Sequence, residues 1–422
     1  MMAKDLTNWA GNIVFSAEFV HRPTDVAELQ RVVAASPGVR ALGSGHSFNR
    51  IADTSGHLVS VAELPASMDI DSATSTVQVS AGVRYGELAR SLHASGYALP
   101  NLGSLPHISV AGACATGTHG SGDANRSLPA AVSEIEFVTA TGDIERLTRA
   151  GDEHFCGSVV ALGCLGVVTS LTLDVVPTFE VAQVVYDELP PVRLFDGFDT
   201  VFAAGYSVSV FTTWGRPRSY QVWVKRRSDD VAQLEGSWLG AVAADGPRHP
   251  IPGVSPVNCT EQLGVPGAWH ERLPHFRLAF TPSSGDELQS EYLLPRAHAL
   301  DALAALDRIS DVIAPAVQIS EIRTVAADDL WLSPCYGRET VAMHFTWISD
   351  AGAVAPAVAA VEEALAPYDA RPHWGKVFST APEALPALYE HWDDFAALMA
   401  EYDPAGKFRN DWVATLFPRT DL

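Results

Sequence analysis

The sequence predicts an α+β protein with a large antiparallel sheet flanked by helices in its middle part. The chain has 422 residues, more than one ordinary core of ~100–200 residues holds, so two or three domains are expected. Alternating, strand-like runs follow one another in the middle: "YSVSVFTTW", "YQVWVKRR", "LQSEYLLP", "VQISEIRTV" and "VAMHFTWI". Only two clear helices, "PRAHALDALAALDRI" and "APAVAAVEEALAPY", interrupt them. Strands broken by a few helices indicate the α+β class.

The N-terminal part alternates helices and short strands. "PTDVAELQRVVAASPG" predicts a helix capped by Thr24 or Asp25, and "RYGELARSLHASG" predicts one closed by Gly96. "VRALG" and "STVQVSAG" read as strands, and "EIEFVTATGDIERLT" reads as a hairpin with its turn at 141–143. "ALGCLGVVTSLTLDVVP" ends this unit near Pro177, whereas residues 229–266 are rich in Gly, Pro and Ala and predict irregular connection.

Charge and cysteine content exclude several classes of protein. The formal net charge is −22, which repels nucleic acid and anionic lipid surfaces and favours a neutral substrate. The five cysteines show no CxxC pair and no zinc spacing, so free thiols and no metal site are expected. "MMAKDLTNWAGN" lacks the apolar core of a signal peptide. We therefore expect a cytoplasmic protein without a membrane span.

Two glycine-rich loops carry the clearest sign of a ligand. "GSGHSF" fits G-x-G but has Phe48 where the dinucleotide fingerprint needs Gly or Ala, so a Rossmann site is rejected. "NLGSLPHISVAGACATGTHGSG" interleaves glycines with Ser and Thr hydroxyls. Small residues expose backbone N–H groups that bind phosphate oxygens. Either loop alone fits tight packing equally well, but two such loops, each with a histidine, favour a shared phosphate-bearing ligand.

These loops, with "LGCLGVVTSL", "EIRTVAADDLWLSP", "HFTWI", "RPHWGKVF" and "DPAGKFRN", resemble the vanillyl-alcohol oxidase family, in particular its sugar-lactone and alditol oxidase branch. The resemblance implies an FAD-binding domain of that family's type over residues 1–178, a substrate-binding domain over 179–370, and a C-terminal segment, 371–422, that returns to the FAD domain. It also implies the residues that hold FAD: Leu42, Gly43, Ser44, Gly45, His46, Ser47, Ser104, Ser109, Gly112, Gly117, Thr118, His119, Val168 and His373.

The resemblance further implies that His46 is bonded covalently to the 8α-methyl carbon of the flavin. A neutral imidazole is a competent nucleophile near pH 7, because its pKa lies near ~6.5. The tether prevents loss of the cofactor and raises its reduction potential. A loop histidine beside non-covalent FAD is the alternative.

Two of the predicted strands carry candidate substrate-binding residues. Glu321 and Arg323 are two apart and share one face of "VQISEIRTV", and His344 and Thr346 share one face of "VAMHFTWI". An ordinary solvent-facing sheet surface is the simpler interpretation of such a set. The resemblance instead places Glu321, Arg323, His344 and Thr346 over the flavin, together with Ser104 and Lys376.

The implied reaction is oxidation of the terminal CH₂OH of an alditol, of the xylitol or sorbitol type, to an aldose, with O₂ reduced to H₂O₂. Arg323 and Lys376 would stabilise the developing alkoxide, Glu321 would pair with Arg323, and either Lys376 or His344 would take the proton. Gly103 lacks a Cβ, which in this family favours access of O₂ and hence an oxidase. An aldonolactone oxidase or dehydrogenase is the alternative, and a non-catalytic flavin- or sugar-binding protein is a third. We expect a monomer.

Overall fold

A computed structural model describes residues 6–230, 236–280 and 286–419. Its N-terminal part contains a parallel three-stranded sheet, in the order β1-β3-β2, and an antiparallel five-stranded sheet, in the order β4-β5-β9-β7-β8. The strands are β1 Phe19–His21, β2 Val39–Leu42, β3 His57–Ser60, β4 Met68–Asp71, β5 Thr76–Ser80, β6 Tyr97–Ala98, β7 Val132–Val138, β8 Ile144–Thr148, β9 Val167–Asp174 and β10 Val176–Pro177. The helices here are α1 Val26–Ala35, α2 Tyr85–Ala94, α3 Val110–Ala115 and α4 Phe155–Ser158.

A large antiparallel sheet fills the middle part, in the order β14-β15-β11-β13-β12-β18-β19-β17-β20, with β16 paired to β11. Its strands are β11 Glu180–Leu189, β12 Ser207–Thr212, β13 Tyr220–Arg227, β14 Ser237–Trp238, β15 Ala241–Ala243, β16 Gly267–Ala268, β17 Glu287–Pro295, β18 Val317–Val325, β19 Thr340–Ile348 and β20 Arg371–Pro372. The remaining helices are α5 Pro191–Asp196, α6 Phe198–Phe202, α7 Ala299–Arg308, α8 Ser310–Ile313, α9 Ala351–Leu365, α10 Trp392–Tyr402 and α11 Asp411–Leu416. The predicted α+β class is confirmed.

Local chemistry explains where the predicted elements begin and end. Asp25, not Thr24, is the N-cap of α1, because its side chain accepts from the Glu28 amide at 2.7 Å. Gly142 has a φ of +91° and turns the β7–β8 hairpin at the predicted place. Within the described residues of 229–266, the regular elements are β14, β15 and a short 3-10 helix, Pro256–Asn258; residues 231–235 lie outside the described part.

The two largest hydrophobic cores among the described residues lie mainly one in each part of the chain. In the middle part, one face of β17, β18 and β19 packs on α5 to α9 through residues such as Ile322, Met343, Phe345 and Trp347. This is the apolar face that the alternation predicts for β19, and it leaves the opposite face for other contacts.

The C-terminal segment packs on the N-terminal sheets. Phe395 of α10 and Val413 of α11 belong to the same hydrophobic core as Val77 and Val79 of β5. The Lys407 Nζ donates to the carbonyls of Val33, Ala34 and Ala140. The predicted domain boundaries themselves stay a prediction.

None of the helices in the described ranges combines the length and apolar character needed to cross a bilayer. All five cysteines are free, and four of them are buried. Among the described residues no group of His, Cys, Asp and Glu is arranged to hold a metal ion.

Candidate active site

A cavity of about 620 Å³ lies between the two glycine-rich loops and the polar face of the large sheet. Its volume is within the range of ligand and cofactor sites, ~300–1,000 Å³. All but one of the predicted site residues line it: Leu42, Gly43, Ser44, Gly45, His46, Ser47, Ser104, Ser109, Gly112, Thr118, His119, Val168, Glu321, Arg323, His344, Thr346, His373 and Lys376.

Gly117 is the exception, since it does not line the cavity. It follows α3 with a φ of +71°, a left-handed conformation that favours glycine. A Cβ at this position would lie 2.9 Å from Cδ of Pro334. Backbone geometry and packing therefore explain this glycine without a cofactor contact, and its role in holding FAD stays a prediction.

The first loop leaves β2 and crosses the start of α3 at close range. A Cβ on Gly43 would lie 2.5 Å from Oγ of Ser109, and one on Gly112 would lie 2.8 Å from the same atom. Ser44 and Ser109 each donate a backbone N–H to the hydroxyl of the other, at 3.3 and 3.2 Å. The two loops therefore form one wall that larger side chains would push apart.

The backbone after this crossing is available to a ligand. Gly45 has a φ of +71°, and within the described residues no protein acceptor bonds to the amide N–H groups of Gly45, His46 or Ser47. Successive free N–H groups in such a turn make a concave site for an anion. This is the feature that a phosphate-bearing cofactor requires.

His46 stands between two other rings in the wall of the cavity. The Trp9 ring stacks on it at a centroid distance of 4.8 Å, and the His107 ring lies at 4.8 Å from it. Burial, with the nearby His107 and Arg84 charges, lowers the pKa of His46 to about 3. The imidazole is therefore neutral at physiological pH, with a lone pair on one ring nitrogen.

The polar face of the large sheet is buried. Glu321 of β18 lies opposite His344 of β19, and Glu321, Arg323, His344 and Thr346 are only 5–7% exposed. The interpretation as an ordinary solvent-facing surface is therefore wrong. In the described part of the chain, this polar face forms one wall of the cavity.

Glu291 of β17 is the centre of this face, and sequence reasoning missed it. Its Oε1 lies 2.5 Å from Arg323 Nη2, its Oε2 lies 2.6 Å from Lys376 Nζ, and His119 Nε2 is 3.3 Å from Oε1. Burial alone raises the pKa of Glu291, but Lys376 and Arg323 outweigh burial and hold this pKa well below its usual range. Glu291 is thus an ionised carboxylate between two cations. A sequence signal for it did exist: in "LQSEYLLP" Glu291 is two residues after Gln289, so the alternation of a strand puts both on one polar face.

Lys376 and His344 form a second bonded pair. Lys376 Nζ lies 2.7 Å from His344 Nδ1, and His344 Nε2 lies 3.1 Å from Thr346 Oγ1. Because an ammonium only donates, Nδ1 accepts and Nε2 carries the proton that points to Thr346. Burial lowers the pKa of Lys376, although Glu291 partly offsets it. Burial and Lys376 hold the pKa of His344 well below its usual value.

The predicted pairing of Glu321 with Arg323 is present, but it is not the closest contact of either residue. The shortest contact of Arg323 is with Glu291, whereas its Nε is 3.6 Å from Glu321 Oε1. Glu321 instead accepts from Nε2 of His275 at 2.8 Å. His275 follows the irregular connection, and no periodic signal in the sequence pointed to it. Arg323 also reaches Ser104 Oγ at 3.5 Å, which links the second loop to the sheet.

Comparison with known proteins agrees with this geometry. A family profile described as FAD binding domain matches residues 17–148, and one described as D-arabinono-1,4-lactone oxidase matches residues 286–416. The chain is 56% identical to a protein named alditol oxidase from Streptomyces sp., over 98% of this chain and 99% of that protein. It is 31% identical to L-gulono-1,4-lactone dehydrogenase from Mycobacterium tuberculosis, over 96% of this chain and 97% of that protein.

The chain belongs to the sugar-lactone and alditol oxidase branch of the vanillyl-alcohol oxidase family. The fold of this chain is similar to that of a solved structure of cholesterol oxidase from B. sterolicum, with a TM-score of 0.79 at 16% identity, covering 98% of this chain and 96% of that one. At this identity the likeness concerns the fold alone.

FAD is the cofactor of this chain, and the residues present fit it. The free amides of 45–47 suit a pyrophosphate, while the close crossing at Gly43 and Gly112 leaves no side chain in the way. The polar face of the sheet stands on the other side of the same cavity.

Proposed function

We propose that the protein oxidises the terminal primary hydroxyl of an alditol to the aldehyde of an aldose. When bound, FAD would supply the hydride acceptor, and O₂ would be the final electron acceptor, giving H₂O₂. The observation that carries the proposal is the buried polar face opposite the glycine loops, where Glu291, Arg323 and Lys376 are paired within 2.6 Å. The high identity to an alditol oxidase supports the choice of substrate class.

The lining suits a polyol, which has many hydroxyls and little apolar surface. Each buried hydroxyl without a partner costs ~1–3 kcal/mol, so the site must supply donors and acceptors in number. Arg323, Lys376 and Ser104 offer donors, and Glu321 and Thr346 offer acceptors around one space. A substrate-binding role for these five residues follows from that match.

Two cations take part in the chemical step. As the hydride leaves the CH₂OH carbon, negative charge develops on the hydroxyl oxygen, and Arg323 and Lys376 stabilise it. The hydroxyl proton passes to Lys376 Nζ while Lys376 gives the proton of its 2.7 Å contact to Nδ1 of His344, so that the ammonium is restored and His344 carries the extra proton. Glu291 keeps both cations in place without touching the reacting carbon.

His46 is the proposed point of covalent attachment to the flavin. Its neutral imidazole has the lone pair needed for a bond to the 8α-methyl carbon. Trp9 and His107 hold the ring on two sides. The predicted cofactor contacts of Leu42 to Ser47, Ser104, Ser109, Gly112, Thr118, His119, Val168 and His373 belong to this proposal.

The cellular setting is proposed from composition. Five unpaired cysteines favour a reducing compartment, hence the cytoplasm. A functional monomer is part of the same proposal.

The test is anaerobic reduction of the purified yellow protein by xylitol, sorbitol or L-gulono-1,4-lactone, followed by admission of O₂ with peroxide detection. Bleaching by the alditols supports the proposal. Faster bleaching by the lactone would favour the lactone-oxidising alternative, and no bleaching by any of them would favour a non-catalytic binding protein. Arg323→Met and Lys376→Met should keep the yellow colour but lose reduction, whereas Arg90→Met, at an exposed position on α2, should behave as wild type.

A further inference from the structure

A buried lysine lies on the same face of the large sheet as Glu321 and Arg323, two strands away from them and outside the cavity lining. Lys225 of β13 is 1% exposed. Its Nζ donates to the carbonyl of Leu273 and lies 3.2 Å from Nδ1 of His275. Within the described residues no carboxylate forms an ion pair with it. A buried cation without a carboxylate partner is expensive, and general packing does not explain why a lysine is here.

The contacts of Lys225 determine the protonation of His275. An ammonium group donates and never accepts, so Nδ1 of His275 must accept. The remaining ring proton is then on Nε2, which lies 2.8 Å from Oε1 of Glu321 and donates to it. Lys225, His275 and Glu321 thus form a chain of hydrogen bonds with one consistent direction, ending at the cavity.

His275 has little freedom to take another orientation. The rings of Phe211 and Trp223 pack edge-on against it at centroid distances of 5.5 and 5.2 Å. Its backbone N–H donates to the carbonyl of Ser104 at 3.2 Å. The segment that carries His275 is therefore attached both to the second loop and to the sheet.

The Glu321 carboxylate, where these hydrogen bonds end, has one oxygen without a partner among the described residues. Oε1 of Glu321 takes the His275 proton and lies 3.6 Å from Arg323 Nε. Oε2 bonds to no other described residue, while Glu321 lines the cavity. An ionised carboxylate only accepts hydrogen bonds, so this oxygen is suited to a donor from the ligand, such as a hydroxyl.

We propose that Lys225 is a positioning residue for substrate: acting through His275, it holds the Glu321 carboxylate so that its second oxygen accepts a hydrogen bond from a substrate hydroxyl. This inference rests on the proposed function, because the hydroxyl belongs to the alditol. Lys225 touches neither the cavity nor the reacting atoms. Its effect should therefore fall on substrate binding more than on the chemical step.

Titration of Lys225 should make the hydrogen bonds from Lys225 through His275 to Glu321 depend on pH. Burial lowers the pKa of Lys225 to about 7; Glu321 and Cys259 act to raise it, and Arg323 acts to lower it. A deprotonated amine can accept from Nδ1–H, which moves the ring proton of His275 away from Nε2. Nε2 then presents a lone pair to the Glu321 carboxylate, and the two repel. We therefore expect KM for the alditol to rise as pH rises above about 7.

The test compares four variants of the flavin-loaded enzyme at pH 6 to 9. Lys225→Met keeps a side chain of similar volume and removes the ammonium donor. His275→Leu removes the imidazole that links Lys225 to Glu321. We expect each to raise KM about tenfold, with a smaller change in kcat and no rise in KM above pH 7. In His275→Gln the amide carbonyl can accept from Lys225 and the NH₂ can donate to Glu321. Because an amide has no second tautomer, KM should stay within about threefold of wild type and vary little with pH. Lys407→Met, which removes a lysine bonded to three carbonyls outside the cavity, controls for loss of a structural lysine.

A folded, fully yellow Lys225→Met enzyme with the KM and pH profile of wild type would overturn the inference. So would ¹⁵N-histidine NMR at pH 6 that finds the proton on Nδ1 of His275, the signal being assigned by its loss in His275→Gln. The NMR result needs no turnover. If no alditol bleaches the wild-type flavin, the proposed function has failed, and the NMR result still decides whether Lys225 sets the tautomer of His275.

Discussion

Glu291 and Lys376 lie 2.6 Å apart on the polar face of the large sheet, and the Glu291 side chain is only 1% exposed. Arg323 contacts the same carboxylate at 2.5 Å. One buried anion therefore holds two cations that face the cavity. Both cations line the cavity, and the Glu291 carboxylate beside them compensates their charge.

Replacing Glu291 by Gln should destabilise the protein, because two buried cations would then face a neutral amide. Breaking a buried pair in this way costs ~3–5 kcal/mol. The free energy of unfolding by urea measures the change. Glu63→Gln is the matched control: its pair with Arg22 is about half exposed at 3.4 Å, so the loss should stay below ~1 kcal/mol. An equal, small loss in both variants would contradict a central role for Glu291.

Replacing His46 by Ala should release the flavin from the polypeptide. Wild-type protein precipitated with acid should keep its yellow colour in the pellet, whereas His46→Ala should leave the flavin in the supernatant. His57→Ala, at a histidine on β3 outside the cavity, should give a yellow pellet. Flavin found in the supernatant of the wild type would show that FAD is held without a covalent bond.

Replacing Gly43 by Ala should lower FAD content, because its new methyl group would stand 2.5 Å from Ser109 Oγ at the crossing of the two loops. Overpacking of this kind costs ~1–3 kcal/mol, so FAD occupancy should fall by about tenfold at limiting FAD. The ratio of flavin to protein absorbance measures it. Gly236→Ala, where a Cβ meets no atom of the described residues within 4 Å, should be fully loaded, and equal loading of both variants would disprove the steric argument.

The strands and the glycine-rich loops could be predicted from the sequence because the patterns that mark them involve residues close together in the chain. Alternation in "VAMHFTWI" correctly assigns Phe345 and Trp347 to the core and His344 to the opposite face. Asp25 and Gly142 likewise act through their own neighbours, as an N-cap and a turn residue. Such interactions span only a few residues, so spacing alone reveals them.

The centre of the site was hidden from the sequence because it depends on contacts between distant segments. Glu291 meets Lys376 across 85 positions, and His275 meets Glu321 across 46. Nothing near His275 in the chain marks it, since its partners belong to β13 and β18. Gly117 is the opposite case: a local backbone conformation and packing against Pro334 account for a glycine that the resemblance assigns to the cofactor.

Replacing Gly103 by Ala should slow reoxidation by O₂ without harming the fold. A Cβ at Gly103 would meet its nearest neighbour, Cγ2 of Thr118, at 3.7 Å, which is ordinary contact. The methyl group therefore fits, and it would occupy the space through which O₂ is proposed to reach the flavin. Stopped-flow mixing of the reduced enzyme with O₂ should show a rate at least about tenfold lower, or ~1.4 kcal/mol in barrier, with anaerobic reduction unchanged. An unchanged reoxidation rate would mean that Gly103 serves only the turn.

His107 should make the protein less stable in acid. It is 3% exposed and its two ring nitrogens have no hydrogen-bond partner among the described residues; burial, with Arg84, lowers its pKa to about 4 from 6.5. Between these values the unfolded chain binds the proton and the folded one does not, so the free energy of unfolding falls as pH falls, by up to ~1.4 kcal/mol per pH unit. Urea unfolding at pH 7.5, 6.0 and 5.0 should give a shallower decline for His107→Leu than for wild type. Parallel declines would show that His107 is not one of the groups that resist protonation in the folded state.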